Sequence, residues 1–150
     1  MSIKVAKFLD VASGLQPGQF TIGDRDAVNS LDDLDPIYKQ LIDEPVTATV
    51  AVMGSTGRAN LTPVWFDYSA NVVFLNLSEH RKKVEWLRAN PQATFLLVNP
   101  KNAYHWISIK ATAFKEIHED DPEEGAGVTE QLDRIWTKYT GNEPPYGLRD

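Results

Sequence analysis

The sequence predicts a mainly β fold with helices, a small barrel of antiparallel strands with helices outside it or across its ends. Three observations predict it. From about residue 46 to residue 114 the chain repeats β-branched, partly alternating segments. Short turn signals separate them, such as Gly54-Ser55-Thr56-Gly57 and Asn99-Pro100-Lys101-Asn102. Helix signals stand before, within and after that run. At 150 residues, with 42% hydrophobic and 24% charged, one domain of ordinary globular composition is expected.

Residues 1–33 read as an N-terminal arm. Ile3, Val5, Ala6, Phe8 and Leu9 fit a short helix or a strand, and residues 14–19 have the composition of a loop. The arm is expected to pack over another surface, a partner subunit among the candidates. Residues 34–150 form the domain proper. Asp35-Pro36 starts a helix, an acidic N-cap followed by Pro at the first helical position. Leu34, Ile37, Tyr38, Leu41 and Ile42 give it one apolar face, and Glu44-Pro45 ends it.

Five strands follow in the reading. Residues 46–53 form the first, and the turn at 54–57 returns the chain along 58–66. There Ala59, Leu61, Pro63 and Trp65 share one face and Arg58, Asn60, Thr62 and Val64 the other. Pro63 lacks an N–H for the ladder, so it marks an edge or a bulge. Residues 69–71 turn the chain into a third strand over 72–77. A helix follows Ser78, its expected N-cap, and stops at Asn90-Pro91. Residues 93–98 form the fourth strand. Residues 104–114 form the fifth, with His105, Ile107, Ile109, Ala111 and Ala113 alternating against Tyr104, Trp106, Ser108, Lys110 and Thr112. Residues 120–127 are an acidic loop or helix approach. Val128, Leu132, Ile135, Trp136 and Tyr139 then repeat at helical spacing, with Gly141 as the stop.

The net charge of −6 and pI near 5.0 argue against general binding to nucleic acid or a membrane surface. No apolar run reaches 18 residues, and the N-terminus lacks the pattern of a signal peptide. With no cysteine, disulfides and thiolate metal sites are excluded, and the expected location is the cytoplasm. Against that acidic background residues 75–88 are locally basic. Arg81, Lys82 and Lys83 stand where a helix begins, although the helix dipole favours acids there. Exposed N–H groups and three cations together suit an anion, and a phosphorylated small molecule is the natural class. A solvated, charged surface helix is the competing reading.

Three stretches carry a family resemblance. The first is the hairpin from Thr47 to Phe66. The second is Phe74-Leu75-Asn76-Leu77-Ser78 with Arg81-Lys82-Lys83 and Leu87-Arg88-Ala89-Asn90-Pro91. The third is the strand from Trp106 to Phe114. In order and spacing they resemble the FMN-binding split β-barrel oxidoreductases, the superfamily of pyridoxamine 5′-phosphate oxidase. Its coenzyme F420-dependent (deazaflavin) branch is the nearer likeness. The resemblance implies that the cofactor ring lies along the second strand. Thr62, Pro63, Val64 and Trp65 are then its backbone platform, with Arg58 and Asn60 facing it. It implies that Asn76, Ser78, Arg81 and Lys83 hold the phosphate, Arg81 and Lys83 matching the family's cationic pair, while Lys82 points to solvent. It also implies a homodimer with two cofactors at the subunit interface. The implied activity is hydride transfer from reduced F420 to an electron-poor small molecule. FMN is the alternative cofactor, and a non-catalytic binder of flavin, deazaflavin or haem the alternative role. Relatives run on into one more strand. Here that strand is missing, replaced by the arm, or beyond this sequence.

Such a site needs an Arg fork, a Lys charge and a hydroxyl for the phosphate, and an apolar wall for the ring. Trp65, Trp106 or Tyr104 would supply the wall, although each tryptophan, Trp136 included, is more often a core residue than a ring platform. The cofactor would carry the chemistry, so no catalytic side chain is named. His80, His105 and His118 show no metal spacing. His105 beside Trp106 is a minor candidate for a haem ligand. The acids at 120–124 lack the alternation of a calcium loop. No nucleophile elbow, P-loop or dinucleotide glycine pattern is present.

Overall fold

A computed structural model describes residues 3–8 and 24–148. The strands β1 (Ile3–Phe8), β2 (Asp24–Val28), β3 (Ala48–Met53), β4 (Ala59–Val64), β7 (Gln92–Asn99) and β8 (Asn102–Thr112) form one six-stranded sheet in the order β2-β1-β8-β7-β3-β4. The strands β5 (Asp67–Ser69) and β6 (Val72–Phe74) form a separate two-stranded ribbon. The helices are α1 (Pro36–Asp43), α2 (Lys82–Ala89) and α3 (Gly125–Thr140). Every strand pairing is antiparallel. The mainly β architecture follows the reading, but the six-stranded sheet does not close on itself among the described residues. The loop expected over residues 14–19 lies outside those residues.

The core occupies one face of the sheet. Val50 and Val52 of β3, Phe95 and Leu97 of β7, and Ile107 and Ile109 of β8 are buried there with Leu41 and Ile42 of α1. Alternation along each strand produces this face, since successive residues point to opposite sides. The hairpin β3–β4 turns at residues 54–57. The Gly54 N–H donates to the Arg58 carbonyl at 2.9 Å, and Gly57 takes a φ of 76° that a side chain would resist. Pro63 lies on β4, the edge strand, as its missing donor requires. Helix α1 begins as read: the Asp35 carboxylate accepts from the Ile37 N–H at 3.1 Å, and Pro36 is the first helical residue.

Four expectations need correction. The return strand ends at Val64, not Phe66, because Phe66 turns into the core and is 1% exposed, and Asp67–Ser69 starts a new pairing. The third strand stops at Phe74, so residues 75–78 are irregular. Ser78 is not the N-cap of α2. Its carbonyl accepts the Arg81 N–H at 3.0 Å, closing a turn that delays the helix, and Arg81 becomes the cap. Further on, α3 starts at Gly125, earlier than the apolar spacing implied. A Cβ there would stand 2.2 Å from the Glu119 carbonyl oxygen, so only glycine fits.

Candidate anion-binding site

The irregular stretch 75–81 delivers a cationic turn to the start of α2. Arg81 caps the helix with its backbone only, without a side-chain hydrogen bond. The first N–H groups of α2 therefore face outward beside the positive dipole end. Arg81 and Lys82 are exposed, whereas Lys83 is 9% exposed. The Lys83 ammonium donates to the Thr62 hydroxyl on the inner side of β4. Among the described residues no carboxylate stands within ion-pair distance of Lys83 or Arg81. Burial pushes the Lys83 ammonium below its ordinary value, and the neighbouring Arg81 charge pushes the same way. A buried cation with a hydroxyl but no acid is a costly arrangement unless an anion completes it.

Next to this pair α2 and the β3–β4 hairpin leave a shallow cleft of about 230 Å³. Arg58, Asn60 and Trp86 line it with the hairpin turn. Asn60 and Thr62 share one side of β4 by alternation, so the Lys83–Thr62 bond and the cleft lined by Arg58 and Asn60 lie along the same side of that strand.

The other expected site residues are placed differently. Pro63 pairs with Thr49 and faces away from α2, on the outer side of the sheet with Leu61. Val64 pairs with Ala48 at the end of β4. Trp65 stacks on Tyr139 of α3, with ring centroids 5.1 Å apart and planes 7° apart. Asn76 donates to Gln131 of α3 at 3.3 Å, and Ser78 is exposed.

The minor candidates resolve in the same way. His105 is buried with both ring nitrogens engaged, one against the Ile37 carbonyl at 2.6 Å and one against the Asn99 amide at 3.1 Å. A haem ligand needs one of them free, so His105 is a core residue. Asp121 accepts from the Glu123 and Glu124 N–H groups, at 2.9 Å each, which makes the acidic run a capped turn. Among the described residues no helix is long and apolar enough to cross a membrane.

Sequence reasoning missed Trp86 as a wall of the cleft, and Tyr139 and Gln131 as the partners of Trp65 and Asn76. Gln131 carried a readable signal, a polar residue three after Val128 and four before Ile135 on an apolar helix face.

No family profile and no curated protein sequence matches the chain. Solved structures do. The chain is similar to an F420 reductase at 20% identity, with a TM-score of 0.60, over 75% of this chain and 85% of that one. It is similar to a conserved hypothetical protein of Mycobacterium tuberculosis at 23% identity, with a TM-score of 0.54, over 70% of this chain and 63% of that one. At these identities the likeness is one of fold.

Proposed function

Starting from a chain with the split-barrel fold, we propose that it is an oxidoreductase that binds the deazaflavin coenzyme F420 and reduces an electron-poor small molecule. One observation carries the reading. Lys83 is 9% exposed at a helix start whose cap makes no side-chain hydrogen bond, and its ammonium donates to the Thr62 hydroxyl and lacks a carboxylate partner among the described residues. A phosphate group fits that donor set: Lys83 as a fixed charge, Arg81 as a forked donor and the first amides of α2 as neutral donors. Arg58 and Asn60 lie in the adjoining cleft, where they would meet the rest of the molecule. The F420 reductase among the similar structures supports the choice of deazaflavin. When bound in reduced form, the cofactor supplies the hydride. The chain's residues neutralise its anionic end, hold its orientation and exclude water from one side.

A homodimer belongs to the same reading. The 230 Å³ cleft is below the roughly 300–1,000 Å³ of typical ligand pockets, so a second wall is needed. The outer face of the sheet offers an interface. Met53, Leu61 and Leu96 are exposed there at 39%, 64% and 38%, and the register aligns Leu61 with Ala51 and Thr94.

Titration of the purified protein with F420, followed by absorbance or tryptophan fluorescence, tests the reading. Saturable binding in the low-micromolar range is expected, and its absence overturns it. A yellow protein with a flavin spectrum would favour FMN instead. Binding without turnover of enones, quinones or tetrapyrroles would favour a carrier.

A further inference from the structure

Trp86 lies on α2 three residues after Lys83, so the two side chains share one face of the helix. Lys83 reaches the Thr62 hydroxyl on β4, and Trp86 reaches the β3–β4 turn. There the indole Cε2 and Cζ2 lie 3.8 Å from the point that a Cβ on Gly54 would occupy. Glycine leaves that space free beside the cleft of about 230 Å³, which Gly54, Arg58, Asn60 and Trp86 line. The indole is partly buried: it packs against the hydrophobic core and also walls the cleft. Core packing on part of the ring holds its plane.

The chemistry of the cleft is one-sided. None of its lining residues is acidic, and exposed Arg58 has no carboxylate within ion-pair distance among the described residues. An indole beside an unpaired guanidinium suits a planar, electron-poor conjugated ring, which stacks on the one and is attracted by the other. Asn60 stands two residues from Thr62, about 7 Å along a strand, so the cleft begins one short linker away from the Lys83–Thr62 bond. The walls offered by the second strand are otherwise employed: Trp65 stacks on Tyr139, and Pro63 lies on the outer side of the sheet.

We infer that Trp86 is the ring-binding wall of the site. The ligand whose anionic end meets Arg81 and Lys83 lays a planar conjugated ring into the cleft between α2 and the hairpin, stacked on the indole and beside Arg58. The inference rests on the cofactor reading above. It moves the ring from the backbone of residues 62–65, where the family likeness puts it, to the helix.

The test uses 5-fluorotryptophan-labelled protein and F420 as the probe. The chain has four tryptophans, and the ¹⁹F signal of Trp86 is the one missing from Trp86→Phe. On titration it is expected to shift further than the Trp65 signal, assigned in the same way, and to saturate with the cofactor. Trp86→Leu is expected to bind F420 about 2- to 10-fold more weakly, the size of one aromatic pair. Its affinity for inorganic phosphate, which has no ring, is expected to stay at the parent's. Equal losses for F420 and phosphate would make Trp86 a packing residue and overturn the inference. So would a Trp86 signal unmoved at saturation, or parental F420 affinity in Trp86→Leu; saturable binding by the parent would then leave the cofactor reading standing. No binding by the parent overturns both. Should Trp86→Leu fail to fold, Arg58→Gln takes its place in the affinity comparison, and the ¹⁹F titration of the parent decides.

Discussion

Lys83 and Lys82 are chemically identical neighbours with opposite fates. One step of 100° around a helix separates an exposed cation from one buried against Thr62. With no carboxylate partner among the described residues, Lys83 would be a liability for the ligand-free fold and, on the proposed reading, an asset once an anion binds. Lys83→Met keeps the aliphatic stem and deletes the charge. Its ligand-free stability in a denaturant titration is expected to equal or exceed the parent's. Its affinity for F420 is expected to fall by about 1.5–3 kcal/mol, the worth of a hydrogen bond to a charged group. Loss of stability with unchanged affinity would make Lys83 structural. The basic run was legible in the sequence, as was the misfit of cations at a helix start. That Lys82 stays outside was implied by the resemblance, but that Lys83 turns inward while Arg81 stays exposed was not, because that depends on a two-residue turn between Ser78 and Arg81.

Elements show the same division between local and distant causes. Helix α1 was readable to the residue because its limits are set by an Asp-Pro start and a Glu-Pro stop. Asp35→Ala removes the carboxylate that holds the Ile37 N–H, and a loss of about 0.5–2 kcal/mol in unfolding free energy is expected. The stretch before α2 has a pH-dependent tether. His118 Nδ1 meets Glu79 at 2.5 Å and Nε2 meets Glu116 at 3.4 Å, while Arg88 pairs with Glu116. The Glu79 bond, followed by the charges of Glu79, Glu116 and Asp120, raises the imidazole above its ordinary 6.5. A raised folded value means that the tether is complete below pH 6.5 and is lost as pH climbs through the higher folded value. The melting temperature of His118→Gln is therefore expected to fall below the parent's near pH 6 and to converge with it as pH rises past the raised folded value. A difference that does not change with pH would sink the tether.

At the scale of the molecule, an open sheet leaves Met53, Leu61 and Leu96 exposed on one side, uncovered among the described residues. If that side joins two copies, a charge at its centre should separate them. Leu61→Asp is expected to shift the mass measured by light scattering from dimer to monomer and to weaken F420 binding with it. It should do so without unfolding the chain, because Leu61 lies outside the core. A parental mass in the variant would remove this face from the interface.

Periodicity fixes which residues share a side of a strand or helix, and Pro, Gly and Asp fix where elements begin and end. So the mainly β class, the hairpin at 54–57, the inward row of His105, Ile107 and Ile109, and the basic start of α2 followed from the sequence alone. These are nearest-neighbour effects, and the chain carries them in every conformation. Trp65 on Tyr139, Lys83 on Thr62, Asn76 on Gln131 and the split of the sheet into two parts join residues 21 to 74 positions apart. Such contacts exist only after the chain has closed those loops. Their partners are chosen by packing, which no local pattern encodes.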